Sequence, residues 1–239
     1  MNRVYLIIKR LMDIVLALVA IIVLSPILIV TALVLRLTGE HLVIYRQPRV
    51  GKNYRSFSIY KFVTMRSDSE KSGTITAKND PRVLPVGTVL RKTKINELPQ
   101  LFNILFGHMS IVGPRPLVQS EVEMYPETLR HIVYANNQPG LTGMGSLFFR
   151  NEDDLLAATG KEPETAYRED IMPIKGALEA WYRDHKSLWV DLKIVVLTAW
   201  AVLHSASAPV KNAFRDSQDF PEKELLDYER LVEQARHRD

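Results

Sequence analysis

Residues 14–35 form an uncharged, mostly apolar run of 22 positions, closed by Lys9, Arg10 and Asp13 on one side and Arg36 on the other. About 20 apolar residues reach across the hydrocarbon core of a bilayer, so the run predicts a membrane helix. It exceeds the usual apolar core of a signal peptide, and no small-x-small cleavage site follows it, which sets aside a cleaved leader. Ser25-Pro26 stands at its centre. Proline there removes a backbone donor and bends the helix, while the serine hydroxyl can satisfy the freed carbonyl. Basic residues flank both ends, with Arg36, Arg46, Arg49, Lys52 and Arg55 after the run, so the positive-inside rule assigns no direction of crossing. A kinked spanning helix and a helix that enters and leaves on one side fit this pattern equally.

Beyond the run the periodicity changes. Residues 42–45 and 56–60 are β-prone and separated by Pro48, Gly51 and Asn53, which predicts a hairpin with a longer loop. Residues 66–81 are rich in Ser, Thr, Lys, Asp and Gly and read as a loop. Leu98, Leu101, Phe102 and Leu105 recur at helical spacing, and Pro99 is tolerated only in a first turn, which places a helix start near Asn96. Residues 151–170 are polar and acidic and read as a surface excursion. Residues 194–203 are apolar but too short to span. With Trp189, Trp200, Lys186 and Lys193 they suit an interfacial helix or a buried core helix. After Pro209 as a breaker, Leu225, Tyr228, Val232 and Ala235 mark an amphipathic helix that could dock on its own domain or on a second chain.

Composition narrows the chemistry. A chain of 239 residues suits one catalytic domain with a membrane element, expected here as an anchor over 1–36, a domain over 37–205 and a tail over 206–239. The absence of cysteine excludes disulfides, thiol nucleophiles and Cys-based metal centres. A net charge of +4 suits an anionic membrane surface, a phosphorylated substrate or nucleic acid equally. No stacking platform interleaves the basic residues, so nucleic acid is not expected as a partner. Walker, GxGxxG, HExxH and GxSxG signatures are all missing.

The densest cluster of chemistry lies between Leu90 and Gln100 and in the following Gly107 to Pro116 stretch, GHMSIVGPRP. A helix starting near Asn96 would put Glu97 at a positive dipole end beside Arg91, Lys92 and Lys94, suited to a phosphate or its Mg²⁺. Asn96 is equally an ordinary N-cap residue, and Arg115 between two prolines an ordinary loop arginine.

Several motifs then occur in order: Lys9-Arg10-Leu11-Met12-Asp13, Ser25-Pro26, Arg49-Val50-Gly51, Tyr60-Lys61-Phe62-Val63-Thr64-Met65, Leu90-Arg91-Lys92-Thr93, Asn96-Glu97-Leu98-Pro99-Gln100-Leu101, Met109 to Pro116, and Pro139-Gly140-Leu141-Thr142-Gly143. Together they resemble the bacterial sugar transferases, the monotopic phosphoglycosyl transferases, in their small class. The resemblance implies an α+β fold, mostly helical with a β-hairpin, a re-entrant membrane helix broken at Ser25-Pro26, and interfacial amphipathic helices. It implies transfer of a sugar-1-phosphate from a UDP-sugar to undecaprenyl phosphate, with Mg²⁺, at the cytoplasmic face of the bacterial inner membrane and in contact with its lipid. A homodimer through the C-terminal helix is a further expectation. Asn96 and Glu97 occupy the family's catalytic Asp-Glu pair, Glu97 also as the metal ligand, with Lys61, Arg91 and Arg115 as phosphate contacts. Asn96 removes the carboxylate that attacks phosphorus in that mechanism, which leaves a catalytically silent binding or scaffold protein as the alternative. Val63 and His108 depart from the family's usual Arg and Asp.

Overall fold

The computed structural model describes residues 3–67, 69, 80–204 and 208–236. A long helix α1 (Arg3–Leu37) precedes an antiparallel hairpin, β1 (Ile44–Val50) and β2 (Ser56–Phe62). Helix α2 (Pro85–Lys92), a 3₁₀ turn (Ile95–Glu97) and α3 (Gln100–Leu105) lead to β3 (Ser110–Val112). Helices α4 (Gln119–Met124) and α5 (Glu127–Tyr134) then precede β4 (Gly140–Thr142), which pairs with β3 in parallel. The rest is helical: α6 (Met144–Phe148), α7 (Glu152–Thr159), α8 (Pro163–Ala166), a π turn (Tyr167–Ile171), α9 (Met172–His185), α10 (Leu188–His204), α11 (Ala208–Arg215) and α12 (Glu222–Arg236). The fold is therefore α+β and mostly helical, with the expected hairpin.

Helical geometry passes through Ser25-Pro26 without interruption, so the pair does not end the helix. Pro26 leaves the carbonyl four residues earlier without its donor. That carbonyl belongs to Ile22, and Ser25 Oγ donates to it at 2.8 Å. At 1.5 Å per residue α1 is about 52 Å long.

Both ends of α1 pack on the same body. Near the N-terminus each charged residue of the Lys9-Arg10-x-x-Asp13 motif holds a different element. Lys9 Nζ reaches Asp191 of α10 at 2.9 Å, and Asp191 also accepts from Tyr5 at 3.0 Å and Tyr182 at 2.6 Å. Arg10 donates to the carbonyls of Ile104 and Leu105 at 2.6 and 2.9 Å, satisfying the last turn of α3. Asp13 Oδ1 accepts from Ile111 N of β3 at 3.0 Å. Near the other end Leu35 joins Phe62 and Leu90 in a small cluster with Leu28, Ala32 and Val43 around it. Between the two anchors one face stays bare: Ile22 is 70% exposed and Val23 67%.

The remaining elements correct several expectations. Pro48 lies inside β1, opposite Ser58, rather than in the loop; two strands make every strand an edge, where the missing donor is tolerated. Pro209 falls in the first turn of α11 and does not break a helix. Of the loop expected over 66–81, positions 68 and 70–79 lie outside the described residues. Residues 151–170 are not a plain surface excursion: they form α7, α8 and the π turn and bury Leu155, Leu156, Ala166 and Tyr167. Helix α10 is buried on one side, at Ile194 and Ala201, and bare on the other, at Trp189 and Val196. Helix α12 places Leu225, Tyr228 and Leu231 in the main core, and Tyr228 Oη donates to Phe148 O at 2.7 Å.

Candidate active site

Two glycine-bearing motifs meet backbone to backbone at the sheet formed by β3 and β4. A Cβ on Gly113 would lie 2.2 Å from Gln138 O, and one on Gly143 would lie 2.1 Å from Gly113 O, so only glycine admits this approach. The contact fixes the chain just before Pro114-Arg115-Pro116. Val50 N donates to Leu117 O at 2.9 Å and brings Arg49 alongside. Fully buried Asn103 accepts from Tyr60 N at 2.9 Å and donates to Ser58 O at 2.8 Å, joining α3 to the strand that carries Lys61.

These contacts gather residues distant in sequence around Glu97. Arg115 Nη2 lies 2.7 Å from Glu97 Oε1, and Nη1 lies 3.4 Å from Oε2, a two-pronged ion pair. Burial pushes the Glu97 carboxyl upward, but Arg115, Lys61 and Lys94 outweigh it and hold the group well below the usual carboxylate range. The neighbouring Glu97 charge raises Arg115 in turn. Burial lowers Lys61 to about 7, against the pull of Glu97 and with Arg49, Arg115 and Arg91 adding to the fall. Burial likewise lowers Arg49 and Lys94. Arg49 also faces Glu121 at 3.5 Å. Arg49, Lys61, Arg91, Lys94 and Arg115 thus lie with Glu97 and Glu121 in a cavity whose whole described lining carries eleven cationic and seven acidic side chains. The excess of positive charge suits an oligophosphate.

The structure brings Lys61, Arg91, Arg115, Asn96 and Glu97 together, but not for the helix-dipole reason. Lys94 adopts a left-handed conformation, φ 60°, and the chain enters a 3₁₀ turn before Pro99 starts α3. The amides of Glu97 and Leu98 are spent on Lys94 O and Ile95 O. No helix begins at Asn96, and its side chain caps nothing: Oδ1 is buried without a hydrogen-bond partner while the residue borders the cavity. Glu97 is held by cations instead. Val63 also borders the cavity, whereas His108 is absent from its lining and packs tilted against Phe57 and edge-on to Phe106.

The cavity measures about 1890 Å³ and has three kinds of wall. Arg150, Asn151, Glu152 and Asp153 at the start of α7 line the same cavity, with Asp153 within electrostatic reach of Arg91 and Lys94. Glu152 is ion-paired with Lys175, whose ammonium sits 5.2 Å from the Tyr167 ring centre and 5.5 Å from that of Phe149. Burial raises the Asp153 carboxyl. Sequence reasoning passed over this wall, since a polar, acidic stretch looks the same whether it faces water or a cavity. The third wall is apolar, supplied by α1 and α10.

A metal was expected at Glu97. Among the described residues no group of three or more His, Cys, Asp or Glu forms a ready cage. Mg²⁺ commonly takes one or two protein oxygens and completes its shell with substrate phosphates and water. The orphaned Asn96 Oδ1 beside Glu97 meets that smaller requirement.

Residues 4–205 match the family described as bacterial sugar transferase. A UDP-glucose:undecaprenyl-phosphate glucose-1-phosphate transferase of Klebsiella pneumoniae is 37% identical over 211 residues, covering 87% of this chain and 43% of that protein. A UDP-N-acetylgalactosamine-undecaprenyl-phosphate N-acetylgalactosaminephosphotransferase of Aeromonas hydrophila is 37% identical over 208 residues, 84% of this chain and 45% of that one. The exopolysaccharide production protein ExoY of Rhizobium meliloti is 35% identical over 210 residues, 81% of this chain and 84% of its own length. The chain thus spans less than half the length of the first two relatives and most of the third.

Proposed function

This chain belongs to the bacterial sugar transferase family, and on that premise we propose that it transfers a sugar-1-phosphate from a UDP-sugar to undecaprenyl phosphate, the first membrane step of surface glycan assembly. One observation carries the reading: a cluster of five cations around an ionised Glu97, in a cavity that also has an apolar wall. Arg49, Lys61, Arg91, Lys94 and Arg115 bind the diphosphate, with Arg115 offering a planar fork to phosphate oxygens. Asn151, Glu152 and Asp153 supply hydrogen-bond partners for sugar hydroxyls. Glu97 and Asn96 Oδ1 would hold a Mg²⁺, which when bound neutralises phosphate charge.

Glu97 is the carboxylate the site retains for covalent catalysis. One of its oxygens attacks the sugar-bearing phosphorus, the bond from that phosphorus to the bridging oxygen breaks, and UMP leaves with the electron pair. An oxygen of the lipid phosphate then attacks the same phosphorus and returns the carboxylate. The side-chain amide of Asn96 is too weak a nucleophile for this step. That amide, together with the clamp of Arg115 on Glu97, favours a second reading: binding of nucleotide sugar without turnover.

Topology follows from α1. Two ends anchored on one body, basic flanks on both sides and a centrally placed Ser25-Pro26 support a re-entrant, monotopic helix with the domain at the cytoplasmic face of the inner membrane.

Purified protein mixed with Mg²⁺, undecaprenyl phosphate and a panel of UDP-sugars tests the proposal. Lipid-dependent UMP release with one sugar is the expected result. Tight UDP-sugar binding without UMP release selects the second reading.

A further inference from the structure

A second, smaller cavity of about 150 Å³ lies beside the N-terminal turns of α1 and shares no lining residue with the large one. Strand β3 gives a wall to each, because successive side chains on a strand point to opposite faces. Ile111 borders the large cavity, and Ser110 and Val112 border the small one. Two hydrogen bonds fasten the surroundings of the small cavity. Asn53 Oδ1 accepts from Asn136 N at 2.8 Å and ties the hairpin turn that carries Lys52 to the loop before β4, while Gln138 Nε2 donates to Gly107 O at 2.7 Å.

The lining carries four cations, Lys9, Arg10, Lys52 and Lys186, and one carboxylate, Asp13. Lys9 is matched by Asp191, Asp13 accepts from Ile111 N, and Arg10 donates to two carbonyls. Lys186 donates to a neutral amide, Asn137 Oδ1 at 2.7 Å, and the Lys52 ammonium has no hydrogen-bond or ion-pair partner among the described residues. Burial lowers the Lys186 ammonium, and the charges of Lys9 and Lys52 lower it further against the pull of Asp191, so both lysines lie within electrostatic reach of it. Four cations against Asp13 and Asp191 leave two positive charges, matched by one phosphate group. The volume falls below the roughly 300–1,000 Å³ that encloses a drug-sized ligand, which favours a lone phosphate group over a nucleotide.

We propose that this cavity is a second anion site, separate from the transferase chemistry, which takes a single phosphate group on Lys52 and Lys186. The phosphate can be soluble or can belong to the headgroup of an anionic lipid, since the exposed apolar Leu6 of α1 lines the same cavity. An anion here relieves the repulsion among these lysines and abuts Gly113 and Pro114, the residues that lead into Arg115.

Limited acetylation of the full chain in detergent, read lysine by lysine by mass spectrometry, tests this. Inorganic phosphate titrated at constant ionic strength should protect Lys52 and Lys186 together, and leave the exposed Lys223 of α12 unprotected. Lys186→Gln should raise the phosphate concentration that protects Lys52 by at least about tenfold, through loss of a charge-assisted hydrogen bond, and Lys52→Gln should do the same for Lys186. A merely structural role for either lysine would not tie its neighbour's protection to phosphate in this way. Nanodiscs separate the two sources. Protection without added phosphate in phosphatidylglycerol but not in phosphatidylcholine assigns the site to a lipid headgroup, and protection only by added phosphate in both assigns it to a soluble phosphate. Equal protection of Lys223, no protection of Lys52 and Lys186 under any of these conditions, or protection of each that ignores substitution of the other would overturn the proposal.

Discussion

At the scale of single residues, Asn96 and Lys61 decide what the site can do. Asn96 Oδ1 is buried, unpartnered and next to Glu97, so a carboxylate there enters a cavity already rich in cations. Asn96→Asp should therefore fold normally, with a melting temperature within a few degrees of the parent. UMP release should rise by orders of magnitude, and a phosphosugar adduct should appear by intact mass. If the parent already turns over quickly and Asp adds nothing, Glu97 alone suffices. Lys61 carries the pH dependence. With its ammonium lowered to about 7, it is charged below that pH and attracts phosphate; as pH rises through 7 the proton leaves and the attraction is lost. UDP affinity should weaken from pH 6.5 to 8.5 in the parent and much less in Lys61→Arg, since a guanidinium keeps its charge. Isothermal titration at both pH values reads the difference. Of these residues, the sequence displayed types and order. It did not display that Asn96 caps nothing, because capping depends on where the helix begins, and the left-handed Lys94 with Pro99 moves that start to Gln100.

At the scale of elements, the first turns of α1 do more than enter a membrane. Lys9, Arg10 and Asp13 hold α10, α3 and β3, and Asp191 is fully buried against Lys9. Removing one partner leaves a buried charge short of its counter-ion, which typically costs about 3–5 kcal/mol. Tyr5 and Tyr182 still donate to Asp191, which places Lys9→Met near the lower end of that range. Lys9→Met should lower the melting temperature clearly in detergent, and pairing it with Asp191→Leu should recover part of the loss. Absence of any shift would mean that α1 is held by apolar packing alone. Ser25 and Pro26 act as a matched pair within the same helix: one frees the Ile22 carbonyl and the other satisfies it.

At the scale of the molecule, the long apolar helix and the cation-lined cavity are one construction. The anchors at Lys9 and Leu35 lay α1 along the domain, and the middle of the helix becomes a wall of the cavity. A straight span would separate those ends by a bilayer. The chain has no cysteine, so single introduced cysteines report topology cleanly. Cysteine at position 2 and cysteine at position 52 should both resist a membrane-impermeant maleimide added outside intact cells and react after lysis. Pro26→Ala, which restores the missing donor, should shift position 2 toward outside labelling. Labelling of position 2 in the parent would favour a spanning helix.

The sequence by itself determined whatever local pattern controls: the membrane length of residues 14–35, the hairpin, the amphipathic C-terminal helix, and the ordered motifs that mark the family. Those features depend on neighbours a few positions apart, which is the range over which periodicity and turn chemistry act. Only the tertiary structure decided that Arg49, Lys61 and Arg115 converge on Glu97, that residues 151–153 face a cavity and not water, and that α1 and α10 border the same cavity. Each of these joins residues tens to more than a hundred positions apart. Such convergence is set by packing of whole elements, here by Gly113 and Gly143 in backbone contact and by Asn103 between a helix and a strand, and no local pattern encodes the side on which a polar stretch will find its cavity.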